Sequence, residues 1–158
     1  MDRLIEKTYL LLKEQGKTLS IAESCTGGLL CKLFTDKSGC SDVFLGGVVS
    51  YANEVKMDSL GVPQSCLDTH GAVSAETAAF MAKGVQKALG STIGIATTGI
   101  AGPDGGSKEK PVGLVYITIA DKTHCITEKN IFIDTRDRVR TLTAKRAYEL
   151  LEVFLKTE

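Results

Sequence analysis

The stretch S-I-A-E-S-C-T-G-G-L-L-C-K-L-F at residues 20–34 decides the fold. It begins apolar, turns polar over residues 23–26, breaks at Gly27-Gly28 and resumes with Leu29, Leu30, Leu33 and Phe34 at helical spacing. A short apolar run that gives way to a 3.6-residue period across a glycine pair predicts a strand handing over to a helix. The strand is expected over residues 17–22 and the helix over residues 26–35. Ser24 at such a junction, followed by Thr26, Gly27 and Gly28, lies beside the amides of a helix start, which carry roughly half a positive charge and suit an oxyanion or a phosphate. The competing reading is that Ser24 or Thr26 only caps the helix, because Ser and Thr lead the capping preferences.

Working outward, residues 2–15 carry Leu4, Ile5, Thr8, Leu11 and Leu12 at helical spacing and stop at Gly16. Residues 42–51, D-V-F-L-G-G-V-V-S-Y, read as a second strand, with Gly46-Gly47 marking a bulge or a close backbone approach. A short helix is expected over residues 53–60. Ser74 caps an alanine-rich helix that ends at Gly90. Residues 92–98 form a further strand and residues 99–111 a glycine-rich loop. Residues 113–120 and 124–133 form an antiparallel hairpin. Residues 134–156 make a long last helix with Val139, Leu142, Ala147, Leu150, Leu151 and Phe154 as its apolar stripe. This alternation predicts one α/β domain over residues 1–158. Its architecture is three-layer α/β/α, with a mixed, mostly parallel sheet of about five strands. Ligands of such sheets sit beyond the carboxyl ends of the strands. Residues 23–28, 51–56 and 97–106 are the polar clusters expected there.

Nineteen basic and nineteen acidic side chains cancel, so no global field favours nucleic acid or an acidic membrane. No apolar run is long enough to span a bilayer, and the start M-D-R-L-I-E-K is unlike a signal peptide. A cytoplasmic protein is expected, with apolar surface on its terminal helices favouring a symmetric homo-oligomer. The five cysteines form no C-x-x-C pair, and His70 and His124 stand apart. No metal site and no disulfide framework is indicated. The loop T-T-G-I-A-G-P-D-G-G matches neither G-x-G-x-x-G nor a P-loop, so no nucleotide cofactor is expected.

A serine attacks an amide only when something takes its proton, and neither histidine falls in a polar cluster near Ser24. Lys56 does. It could act as a base if neutral, since burial or a neighbouring cation lowers a lysine pKa towards ~7 to 8 from ~10.4; the alternative is an ordinary surface lysine. Cys25, beside Ser24, is a rival nucleophile, although nothing nearby in sequence lowers its pKa. Arg136 and Arg140 lie four apart and either clamp a phosphate or form a solvated face.

Taken together, A-E-S-C-T-G-G at 22–28, Y-A-N-E-V-K at 51–56, H-G-A-V-S at 70–74, T-G-I-A-G-P-D-G-G at 98–106 and K-P-V-G at 110–113 resemble the C-terminal-domain family of the competence-damage-inducible protein CinA. Stand-alone members of that family are nicotinamide-nucleotide amidohydrolases (nicotinamide mononucleotide deamidases). The resemblance covers essentially the whole chain. It implies a three-layer α/β/α fold and metal-free hydrolysis of nicotinamide mononucleotide to nicotinate mononucleotide and ammonia. By motif, Ser24 resembles the nucleophile and Lys56 its general base, with Arg140 favoured over Arg136 and Arg138 as the arginine near the start of the last helix. Cys25, Thr26, Gly27 and Gly28 would surround the substrate, and Tyr51 and Asn53 would shape the pocket. Thr98, Gly99 and Gly102 would line the opposite side, with Arg136 as a second arginine. Amides near Thr26 and Gly27 would receive the oxyanion. A reading of a different class is a non-catalytic nucleotide-binding or interaction module linked to competence and DNA uptake; the zero net charge argues against direct DNA contact.

Overall fold

The computed structural model describes residues 1–157. The chain runs α1 (Asp2–Glu14), β1 (Leu19–Glu23), α2 (Leu29–Thr35), a 3-10 turn (Cys40–Asp42), β2 (Phe44–Val49), α3 (Asn53–Leu60), α4 (Gln64–His70), α5 (Ala75–Leu89), β3 (Ile93–Gly99), β4 (Leu114–Ala120), β5 (Cys125–Ile131) and α6 (Arg136–Thr157). The five strands lie in the order β2-β1-β3-β4-β5. β1 pairs in parallel with β2 and β3, while β4 is antiparallel to both β3 and β5. One strand of the five therefore runs against the rest, and helices cover both faces, as the sequence predicts.

The two faces differ in bulk. Leu19, Ile21, Ile93, Ile95 and Ile117 join Leu12 of α1, Phe34 of α2 and Tyr148 and Leu151 of α6 in one buried cluster. Ala22, Ala96 and Ala120 join Met81, Ala82 and Val85 of α5 in the other. Branched side chains fill the first interface. Small residues on the second let α5 lie close against the sheet, and a Cβ at Gly94 would collide with the carbonyl of Ala82. Ser74 caps α5, its hydroxyl accepting from the Thr77 amide at 3.1 Å.

Besides shifts of one or two residues at other strand and helix ends, such as β1 at Leu19–Glu23 where the sequence predicts residues 17–22, three departures stand out. The helix after the first strand begins at Leu29 rather than Thr26, because Gly27 and Gly28 take positive φ values of 59° and 96° that a right-handed helix does not allow. The second strand is confined to Phe44–Val49, with a 3-10 turn before it. α4 escapes sequence reading: it has seven residues and only two buried side chains, Cys66 and Leu67, too few to show a period. No helix among the described residues is long and apolar enough to cross a membrane.

Candidate active site

The site forms where β1, β2 and β3 end. Parallel pairing continues one residue past the strands: the Ser24 amide donates to Thr97 O at 3.0 Å and the Ser50 amide to Glu23 O at 2.8 Å. The backbone carrying Ser24 is thereby held on both sides. α3 follows β2 after a short turn, and Lys56, its fourth residue, points back to the same point. Lys56 Nζ lies 3.1 Å from Ser24 Oγ, 2.6 Å from Ser50 O and 3.3 Å from Tyr51 O.

Lys56 is not a surface residue; it is 1% exposed. Burial pushes its pKa down, with Cys25 acting in the opposite direction, and no carboxylate pairs with it among the described residues. A neutral amine has two N–H bonds and one lone pair. In that state the carbonyls of Ser50 and Tyr51 can accept the two N–H bonds, which leaves the lone pair for the Ser24 hydroxyl proton. The arrangement suits general-base chemistry at Ser24.

Neither Ser24 nor Thr26 caps α2. The helix is closed by Glu23, whose wholly buried carboxyl group accepts from the amides of Gly28 at 3.0 Å, Leu30 at 3.1 Å and Cys31 at 2.8 Å. The Thr26 hydroxyl instead shares a 2.8 Å hydrogen bond with that of Thr97. The Gly27 amide donates to Ser24 O at 3.1 Å, so it is not available to an oxyanion as the sequence suggested. The amides of Cys25 and Thr26 donate to no other protein group among the described residues. Those two are the candidate oxyanion donors.

A cleft of about 220 Å³ opens over the pair, lined by Ser24, Cys25, Tyr51, Lys56, Ala72, Val73, Thr98, Gly99, Ala101 and Arg136. Cys25 is buried, and desolvation pushes its thiol up to about 12, so it stays protonated near neutral pH and makes a poor rival to Ser24. Arg136 bridges the mouth: Nη1 donates to Gly102 O at 2.8 Å and Nη2 to the Tyr51 hydroxyl at 3.0 Å. Arg140 does not line the cleft. Its Nε and Nη2 both donate to Thr26 O, at 3.2 and 2.8 Å, so it holds the turn that carries Ser24. Asn53 is exposed at the start of α3 and is also outside the lining.

Three lining residues, Ala72, Val73 and Ala101, carry no chemical signal of their own. They belong to motifs whose glycines and Ser74 mark chain reversals. Ala72 is fixed by its carbonyl, which accepts from Thr98 Oγ1 at 2.7 Å; just before it, His70 O accepts from Lys110 Nζ at 2.6 Å. Among the described residues no group of three His, Cys, Asp or Glu side chains is gathered to hold a metal ion.

A CinA-like protein of Syntrophomonas wolfei is 48% identical over 155 residues, which is 98% of this chain and 37% of that protein. A CinA-like protein of Geobacter sulfurreducens is 50% identical over 147 residues, 93% of this chain and 36% of that one. The chain thus spans little more than a third of the curated relatives it matches. Among solved structures, a competence/damage inducible protein from Agrobacterium tumefaciens superposes with a TM-score of 0.94 at 38% identity, covering 98% of this chain and 94% of that one. A CinA superfamily protein from Klebsiella pneumoniae superposes with a TM-score of 0.96 at 29% identity, covering 99% and 98%. The CinA C-terminal domain model matches residues 1–155, and the chain belongs to that family.

Proposed function

We propose that this chain hydrolyses the carboxamide of nicotinamide mononucleotide, giving nicotinate mononucleotide and ammonia, with Ser24 as nucleophile and Lys56 as general base. The observation that carries the reading is the buried Lys56 amine, 3.1 Å from Ser24 Oγ and without a carboxylate partner among the described residues. Ser24 Oγ attacks the carboxamide carbon while Lys56 Nζ takes the hydroxyl proton. The amides of Cys25 and Thr26 receive the developing oxyanion. When the tetrahedral intermediate collapses, the C–N bond breaks and Lys56 returns its proton to the departing nitrogen, which leaves as ammonia. Water then attacks the Ser24 ester, with Lys56 again taking a proton, and both side chains are regenerated.

The substrate chemistry suits the cleft. The pyridinium ring withdraws electrons from the carboxamide and makes it easier to attack. Arg136 at the mouth offers a cation to the phosphate, while Arg140 keeps the Ser24 turn in place. The reaction needs neither metal nor cofactor.

The test is ammonia release from nicotinamide mononucleotide, with formation of nicotinate mononucleotide followed by chromatography. The wild-type chain is expected to turn over, and Ser24→Ala to lower turnover by at least ~1,000-fold with the fold intact. A wild type that releases no ammonia, or a Ser24→Ala variant at the wild-type rate, overturns the reading. An inactive wild type that retains a DNA-uptake protein in a pulldown supports the interaction module instead.

A further inference from the structure

We propose that Glu23 is a positioning residue for Ser24: its carboxyl group ties the start of α2 back to the end of β1 and so fixes the intervening turn. An acidic side chain at this point is not needed to fill space, since the neighbouring sheet positions are filled by apolar and small residues. Burying a carboxyl group is unfavourable unless its oxygens are satisfied. Here both are. Oε2 accepts from Gly28 and Leu30, and Oε1 from Cys31.

These bonds close the backbone from residue 23 to residue 28 into a ring. At one end the Glu23 carbonyl accepts from the Ser50 amide at 2.8 Å and the Ser50 hydroxyl at 3.3 Å. At the other end the Glu23 side chain holds Gly28. Inside the ring the Gly27 amide donates to Ser24 O. Ser24, Cys25 and Thr26 are therefore fixed from both sides. The Leu29 amide donates to Thr26 O; those of Gly28, Leu30 and Cys31 would otherwise lack partners at the helix start, and the protein's own carboxyl group takes them. Among the described residues, the amides of the turn that donate to no other residue are those of Cys25 and Thr26, next to Ser24. Glu23 thus fixes the turn that carries these amides, Cys25 of which lines the cleft, without itself lining it.

The turnover measurement rests on the proposed amidohydrolase reading, so it is paired with one that does not: covalent labelling of Ser24 by a fluorophosphonate, followed by mass spectrometry. Glu23→Gln keeps the shape, but its amide NH2 must face either the Cys31 amide or those of Gly28 and Leu30, two donors in opposition. In the 158-residue chain this variant is expected to unfold cooperatively. Its kcat should fall by ~100-fold, the effect of misplacing a reacting group by about 1 Å, with little change in KM. Ser24 labelling should slow in parallel. Glu23→Asp, which draws the carboxyl group back by one methylene, is expected to fall between Gln and wild type. A folded Gln variant with kcat and labelling within about twofold of wild type overturns the proposal. So does a loss confined to KM, or a Gln variant that fails to fold, since Glu23 then serves helix stability alone. If the wild type releases no ammonia, the substrate assignment fails and the labelling rates still decide the role of Glu23.

Discussion

Replacing Lys56 by Met tests the state of the amine directly, through stability rather than turnover. Methionine fills a similar volume and cannot titrate. In the unfolded chain Lys56 has its ordinary pKa near 10.5, and burial lowers that value in the fold. Between the two values the unfolded state binds a proton that the folded state lacks, so the stability of the wild type rises with pH. The slope approaches about 1.4 kcal/mol per pH unit for one full proton. It vanishes above 10.5 and again below the folded-state pKa, and the Met variant has no such term.

At high pH the variant should be the less stable protein, because the carbonyls of Ser50 and Tyr51 lose the donor that Lys56 supplies. A buried carbonyl left without a partner costs about 1–3 kcal/mol. As pH falls from 10.5 the wild type loses stability relative to the variant, and about one to two pH units of that slope offset the loss of one such bond. Urea unfolding of both proteins from pH 6 to pH 10 measures the difference. The pH at which the slope levels off should coincide with the rising limb of kcat/KM for the proposed reaction, since both report the same amine. A stability difference that stays constant across this range would mean that Lys56 is protonated in the fold, and the general-base argument would fall.

The two arginines should separate by kinetic signature. Arg136→Gln is expected to raise KM for nicotinamide mononucleotide by roughly tenfold or more, the worth of a charge-assisted bond to phosphate, whereas Arg140→Gln should mainly lower kcat because it releases Thr26 O; the opposite pattern refutes the assignment. Cys25→Ala should keep most of the turnover, since a thiol pushed up to about 12 is protonated near neutral pH; an inactive, folded Cys25→Ala would restore the cysteine as nucleophile. Dialysis against a chelator should leave ammonia release unchanged, and loss restored by a divalent ion would require a metal step.

Local pattern carried the layers and the order of the elements. The switch from an apolar run to helical spacing across Gly27-Gly28, the cap at Ser74 and the glycine loop after residue 98 are short-range effects, and each is legible because its physics operates within a few residues. The same locality placed Ser24, Lys56 and the loop after β3 at one end of the sheet, since strands that run the same way end on the same side. It failed at α4, whose two buried residues are too few to print a period.

Only the assembled fold decided what the charged residues do. The pattern around Lys56 is that of a short exposed helix, and its burial arises because the ends of β1 and β2 meet over it, a contact between segments 32 residues apart at Ser24. Arg136 and Arg140 share a helical face, and which one reaches the cleft depends on where Gly102 and Thr26 present their carbonyls, 34 and 114 residues away. Glu23 reads as one more polar residue in a turn until α2 folds back and offers it three amides. Sequence therefore determined which reactive side chains were present and at which end of the sheet. Tertiary structure determined which groups lost their water, and with it their ordinary pKa and partners, because burial depends on every segment that packs nearby.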